Sequence, residues 1–152
     1  GKVVVYTGIL KYAKNDDQLA TVISHEVAHA LARHGAERVT QGMIQQGVGL
    51  IGSVAVAATA PQYQNAFNQA YGLGSNLGVM LPYGRMQESE ADEIGIYLMH
   101  KAGYNVNEAT KFWENMSEGK SGGNDFFSTH PSSQNRTKDI QTVINKIGNE
   151  AK

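Results

Sequence analysis

Hydrophobic positions change their spacing along the chain, and the changes mark out its elements. Lys2 to Tyr6 is a short β-branched run that predicts a strand, followed by a turn at Thr7-Gly8 and a short helical stretch to about Lys14. Asn15-Asp16-Asp17 then supplies an N-cap with acid in the first turn. A helix is predicted from there to Arg33-His34, with Gly35 in the position just past its end. Its apolar residues, among them Leu19, Val22, Ile23, Val27 and Leu31, lie around most of the circumference, the pattern of a buried helix.

Between Ala36 and Met80 the pattern loosens. Charges are few, Gly, Ala, Gln and Asn abound, and an apolar stretch runs from Val48 to Ala58. That stretch is shorter than a bilayer span, and Gly42, Gly47, Gly49 and Gly52 each weaken a helix by up to about 1 kcal/mol. The segment reads as a loosely held helical flap or, equally, as a helical hairpin that uses glycine for close contact. Association with a membrane surface is a lesser alternative.

Three more helices are predicted: from about Arg85 to Lys101, ending at Gly103; from about Asn107 to Ser117; and from Ser132 or Ser133 to Ile147, with Gly148 at its end. Gly119 to Asp125 reads as a loop. No internal repeat is visible. The fold class is therefore α+β and predominantly helical, with a small N-terminal strand region. One domain is expected over residues 1–152, with the 36–80 flap or hairpin inside it.

Composition narrows the chemistry. Hydrophobic residues make up 41%, charged residues 18%, and the net charge is −1, which suggests no nucleic-acid partner. With no cysteine, any metal site must use histidine and carboxylates. The chain opens at Gly1 directly on the strand-like run, so upstream residues, targeting signals included, are expected to precede it.

One segment carries a recognisable reaction chemistry. His25-Glu26-Val27-Ala28-His29 has the form H-E-x-x-H, and residues four apart on a helix differ by only about 40° around its axis. Both imidazoles therefore face one point. Glu26 lies about 100° from His25, near enough to reach a metal-bound water without coordinating, the placement of a general base. Catalytic zinc usually takes three protein ligands and leaves a position for water, so a further ligand is needed. In Glu88-Ser-Glu90-Ala-Asp92, Glu88 and Asp92 share a face with Ala91, Gly95 and Met99, whereas Glu90 and Glu93 point to solvent. Two inward carboxylates repel unless cations take them up. Zinc for Glu88 and an imidazole N–H for Asp92 would do so, with His25 and His29 both open as the partner of Asp92.

H-E-x-x-H followed by E-x-x-x-D resembles the gluzincin metallopeptidases. Asn15 to Gly35, Arg85 to Asp92, Val3 to Leu10 and Ser128 to Arg136 together resemble the family of HtpX-like, BepA-like and CAAX prenyl-type peptidases. The resemblance covers most of the chain outside Ala36 to Met80. It implies a gluzincin-like protease domain with one zinc ion per chain, held by His25, His29 and Glu88. Glu26 would be the base, and Asp92 would hydrogen-bond a ligand imidazole.

The same resemblance adds His130 and Arg136 to the catalytic set. For His130 the roles open are oxyanion stabilisation, a fourth zinc ligand in a resting state, or a plain turn residue before Pro131. Arg136 would contribute there or brace the loop. His34 is expected to sit with Arg33 as a dipole partner at the helix C-terminus, and His100 on the surface.

The function implied is zinc-dependent endopeptidase action on protein or peptide substrates, in envelope protein quality control. With no run of about 18 apolar residues, the soluble or lipid-anchored branch in the bacterial periplasm fits better than the integral ones. The alternatives are a latent or non-catalytic zinc domain that binds unfolded or outer-membrane proteins, and a fragment of an integral-membrane protease.

Overall fold

Asn15 ends the irregular N-terminal stretch. Its side chain accepts a hydrogen bond from the Gln18 amide at 2.8 Å, and Asp16 and Asp17 follow in the first turn, so an orphan amide is satisfied and the helix dipole is complemented. This opens α1, Asp16–Leu31. The computed structural model describes residues 2–119, 126–131 and 135–150. After α1 come α2 (His34–Thr59), α3 (Gln64–Ser75), α4 (Leu81–Lys101), α5 (Glu108–Glu118), the single turn α6 (Phe126–Thr129) and α7 (Arg136–Glu150). Short 3-10 turns lie at Thr7–Lys11 and Pro61–Tyr63, and a π-helical turn at Asn76–Met80.

The predominantly helical expectation holds, while no strand occurs among the described residues, so the small N-terminal strand region has no support here. Tyr6 has extended torsions, φ −76° and ψ 135°, yet no described residue forms a strand ladder with residues 2–6, and Val3, Val4 and Val5 are exposed. An extended segment becomes a strand only through a partner's ladder. The end of α1 differs too. The helix stops at Leu31, and Arg33, not Gly35, takes the left-handed conformation at φ 58°. His34 opens α2 and is buried. Nor is α1 buried all round, since Ile23 and Leu31 are exposed.

The chain divides into two compact units, one of Gly1–Ala32 with Arg85–Lys152 and the other of Arg33–Gly84. In the second, aromatic side chains of α3 lie over glycines of α2. A Cβ on Gly52 would come within 2.5 Å of the Phe67 ring, and one on Gly49 within 2.6 Å of the Tyr71 ring. The Tyr71 hydroxyl donates to the Gln45 carbonyl at 2.7 Å. Glycine here admits close approach. The opposite side of α2 is apolar and exposed at Val39, Ile44, Leu50, Ile51 and Val54. Its 26 residues are long and apolar enough, by length and composition, to cross a membrane, although Val48 to Ala58 is too short to do so.

In the first unit, α1, α4, α5 and α7 close around Val22, Ile96, Met99, Phe112, Trp113, Met116, Ile140 and Ile144. The N-terminus of α1 is tied to α5, where Asn15 Nδ2 and Gln18 Nε2 donate to the Glu108 carboxylate at 3.0 and 2.8 Å. Gly95 brings α4 against α1, since a Cβ there would meet the His25 backbone nitrogen at 3.2 Å and Ser24 Oγ at 3.3 Å. Gly103, at φ +82°, ends α4, and the Gly103 and Tyr104 amides bond back to the His100 and Met99 carbonyls, the expected glycine stop. The proposed start of the last helix at Ser132 or Ser133 lies outside the described residues, as does most of the Gly119 to Asp125 loop. The described helix runs from Arg136 through Gly148 to Glu150.

Candidate metal centre

The helical spacing of His25 and His29 on α1, and of Glu88 and Asp92 on α4, turns four side chains toward the α1–α4 contact that Gly95 permits. His25 is 1% exposed and Glu88 2%, while Glu90 and Glu93 face solvent. His25 Nε2 lies 3.1 Å from Glu88 Oε2 and 3.0 Å from His29 Nε2, and His29 Nε2 lies 3.3 Å from Glu88 Oε1. His130, from the segment after α6, joins them. One ligand atom from each of His25, His29, Glu88 and His130 falls within 4.8 Å of all the others.

Asp92 faces His25. The His25 Nδ1–H donates to Asp92 Oδ1 at 2.9 Å, which leaves Nε2 pointing at Glu88 and His29. A neutral imidazole so oriented presents a lone pair to a carboxylate oxygen, an arrangement that needs a cation between them. The donor set of imidazoles and one carboxylate, with no thiolate, suits a divalent transition ion. Asp92 also accepts from Arg136 Nη2 at 2.6 Å, and the Arg136 guanidinium lies 3.3 Å above the Trp113 ring. Glu26 sits to one side, half-buried, with Oε1 3.3 Å from His130 Nε2, and the His130 ring stacks on Phe126 at 4.2 Å.

Electrostatics follow from this geometry. Burial alone pushes the His25 imidazole down, but the Asp92 and Glu88 carboxylates outweigh it and raise its pKa. Burial pushes Glu88 up, yet bonds to His25 and His29 hold it far below the usual carboxylate range. Glu26 is likewise held down, because its bond to His130 and the histidine charges overcome burial. His29 is lowered, chiefly by desolvation.

All seven residues singled out in the sequence therefore lie in one neighbourhood: His25, Glu26, His29, Glu88, Asp92, His130 and Arg136. Sequence reasoning missed Trp113 and Phe126. Each reads from the sequence as an ordinary core aromatic, and only contact with Arg136 and His130 distinguishes it.

Residues 1–144 match the family described as Peptidase family M48. The chain is 40% identical over 141 residues to the "Mitochondrial metalloendopeptidase OMA1" of Arabidopsis thaliana, covering 91% of this chain and 27% of that protein. It is 40% identical over 144 residues to the protein of the same name from Schizosaccharomyces pombe, covering 93% and 40%. Against the "Beta-barrel assembly-enhancing protease" of Escherichia coli K12 the identity is 29% over 153 residues, covering 97% and 31%. The chain thus spans well under half the length of these relatives. No solved structure matches it.

The raised His25 pKa sets a pH dependence for metal binding. Below that pKa a proton occupies the site the metal must take, so affinity should fall as pH drops, with a proton released on binding wherever the imidazole is still protonated. In the metal-free protein the same shift stabilises the fold fully below His25's ordinary value of 6.5 and less as pH rises through the raised value. Calorimetric titration in buffers of different ionisation enthalpy measures the release. Pure proton-free binding between pH 6 and 8 would contradict the assignment of His25 as ligand.

Proposed function

Because the chain belongs to peptidase family M48, we propose that it is the catalytic domain of a zinc metalloendopeptidase, with His25, His29 and Glu88 as the ligands and Glu26 as the base. The carrying observation is the convergence of those three ligand groups, with Glu26 beside them. Two donors held about 2.0–2.1 Å from one tetrahedral zinc stand about 3.3 Å apart, and the separations here are 3.0 to 3.3 Å. Zinc in such a site supplies Lewis acidity toward the scissile carbonyl and lowers the pKa of a water to about 7.

This chain's residues do the rest. Glu26, its pKa held down by His130 and the histidine charges, is ionised at neutral pH and would accept the water proton and deliver it to the leaving amine. Asp92 holds the Nδ1–H of His25 and so fixes which nitrogen is offered to the metal. A cleft of about 630 Å³ opens beside Glu26 and His130, lined also by Val5, Ile9, Tyr12 and Phe126. An extended segment of a protein substrate, presenting apolar side chains, fits that lining.

One observation favours a second reading. His130 completes a set of four donors within 4.8 Å, so a latent state with all four zinc positions filled is the competing description. Cleavage of an unfolded protein such as casein, blocked by a chelator and restored by zinc, separates the two. Glu26→Gln should keep zinc and lose about 10²–10⁴-fold in turnover, and near-normal turnover would remove Glu26 from its role. In the same assay, His130→Ala that gains activity supports latency; loss of activity supports a part in stabilising the transition state.

The setting we infer is protein quality control at a membrane surface in the bacterial envelope. One relative is named for β-barrel assembly, a process of outer membranes, although others carry mitochondrial names. Residues 39–84 contain no Asp, Glu, Lys, Arg or His, and their helices expose Leu50, Ile51, Val54, Leu77 and Val79. Such a face lowers its free energy by entering the boundary between headgroups and acyl chains. Co-sedimentation with zwitterionic vesicles should be lost, by about tenfold or more in affinity, when Leu50→Lys and Ile51→Asp are combined. Vesicle binding unchanged by that pair, or absent in the parent protein, would assign the face to protein partners instead.

A further inference from the structure

Arg136 is 6% exposed and carries a charge into the unit's interior. Its Nη2 donates to Asp92 at 2.6 Å and lies 3.4 Å from His25 Nδ1 and 3.8 Å from Glu88 Oε2, but Nε and Nη1 are buried and have no hydrogen-bond acceptor among the described residues. The two carboxylates offset the charge, but two buried N–H-bearing nitrogens without acceptors are costly unless something else holds the group. What lies against it is the face of Trp113, 3.3 Å from the guanidinium carbon to the ring centroid. Stacking of a desolvated guanidinium on an indole is the strongest form of this contact.

Trp113 is itself fixed. It is 2% exposed on α5, meets Phe112 edge-on at 4.9 Å and Phe126 at 5.7 Å, and turns its ring toward that of His25 at 5.5 Å with 69° between the planes. The helix carrying it is joined to the start of α1 through Glu108, Asn15 and Gln18. One aromatic ring therefore touches both ends of the path that runs from Arg136 through Asp92 to the Nδ1–H of His25.

We propose that Trp113 is a positioning residue for the metal centre: its indole face holds the Arg136 guanidinium flat, so that Arg136 orients Asp92 and Asp92 fixes His25. The inference rests on the reading of His25 as a metal ligand. Two of its consequences are independent of turnover. Removing the ring should loosen the His25 Nδ1–H hydrogen bond even without metal, and it should weaken metal binding. A ring of similar shape should restore both.

The test is a double-mutant cycle on the whole chain, using Trp113→Leu, Arg136→Met and the pair. It is read by zinc affinity below the melting temperature and by the downfield Nδ1–H proton resonance of His25 in the metal-free protein. Each single variant should lose about tenfold in zinc affinity, the usual effect of disturbing the partners of a ligand imidazole. The double variant should lose no more than either single one, because both act through the same bond. Trp113→Phe should stay within about threefold of the parent. A merely structural tryptophan would lower the melting temperature and leave the affinity of the folded protein and the resonance unchanged. That result, or losses that multiply in the double variant, overturns the proposal.

If Trp113→Leu does not fold, Arg136→Lys, which keeps the charge and removes the flat face, takes its place. Loss of the resonance with about tenfold weaker zinc binding supports the proposal, and parent-like values overturn it. A parent protein that binds no zinc but shows the Nδ1–H resonance, lost in Trp113→Leu, would sink the metal assignment and leave the positioning path standing.

Discussion

Lone pairs from three imidazoles and one carboxylate, gathered within 4.8 Å of each other, constrain the whole of the first unit. Groups of this kind repel or compete for protons when no cation lies among them, so they must be held together from behind. The holding is done at two distances from the site. Gly95 lets α4 lie against the backbone of His25, which sets the depth at which Glu88 and Asp92 meet α1. Farther off, the carboxylate of Glu108 takes bonds from Asn15 and Gln18 and fixes α1 against α5, the helix that supplies Trp113. The apolar core gives these helices their cohesion, but the polar ties decide how they are registered.

The site was legible in the sequence because its parts obey helical geometry. His25 and His29 are four apart on one helix, Glu88 and Asp92 four apart on another, and the neighbouring acids Glu90 and Glu93 fall on the far side. Asn15 and Gly103 announced their helix ends through cap chemistry with little ambiguity. Where the reading failed, the competing force was tertiary. Arg33 takes a left-handed conformation that composition assigns to Gly35, and a sequence-only argument has no means of seeing the strain being accepted. The β-branched run at residues 2–6 meets the local conditions for a strand but finds no ladder partner among the described residues.

Residues 33–84 were hard to read for a different reason. Their helices lack the alternation of charged and apolar faces from which amphipathic position is inferred, since charge is missing from residues 39–84 altogether. What defines this unit is shape: Phe67 and Tyr71 lie over Gly52 and Gly49, a match between a bulky residue and an empty position two dozen residues or fewer away. Such complementarity is invisible to periodicity and becomes apparent only in three dimensions. The same lack of charge that blurred the sequence leaves α2 with an apolar outer face.

The sequence contains one tryptophan, and it lies against Arg136 and edge-on to His25 instead of in some remote part of the core. Its emission is therefore not an average over the molecule. An indole in van der Waals contact with a guanidinium and 5.5 Å from the His25 ring senses the local field there, so emission excited selectively at the tryptophan, apart from the seven tyrosines, would report on the candidate metal centre. No dye or label has to be introduced to observe the state of the site in solution.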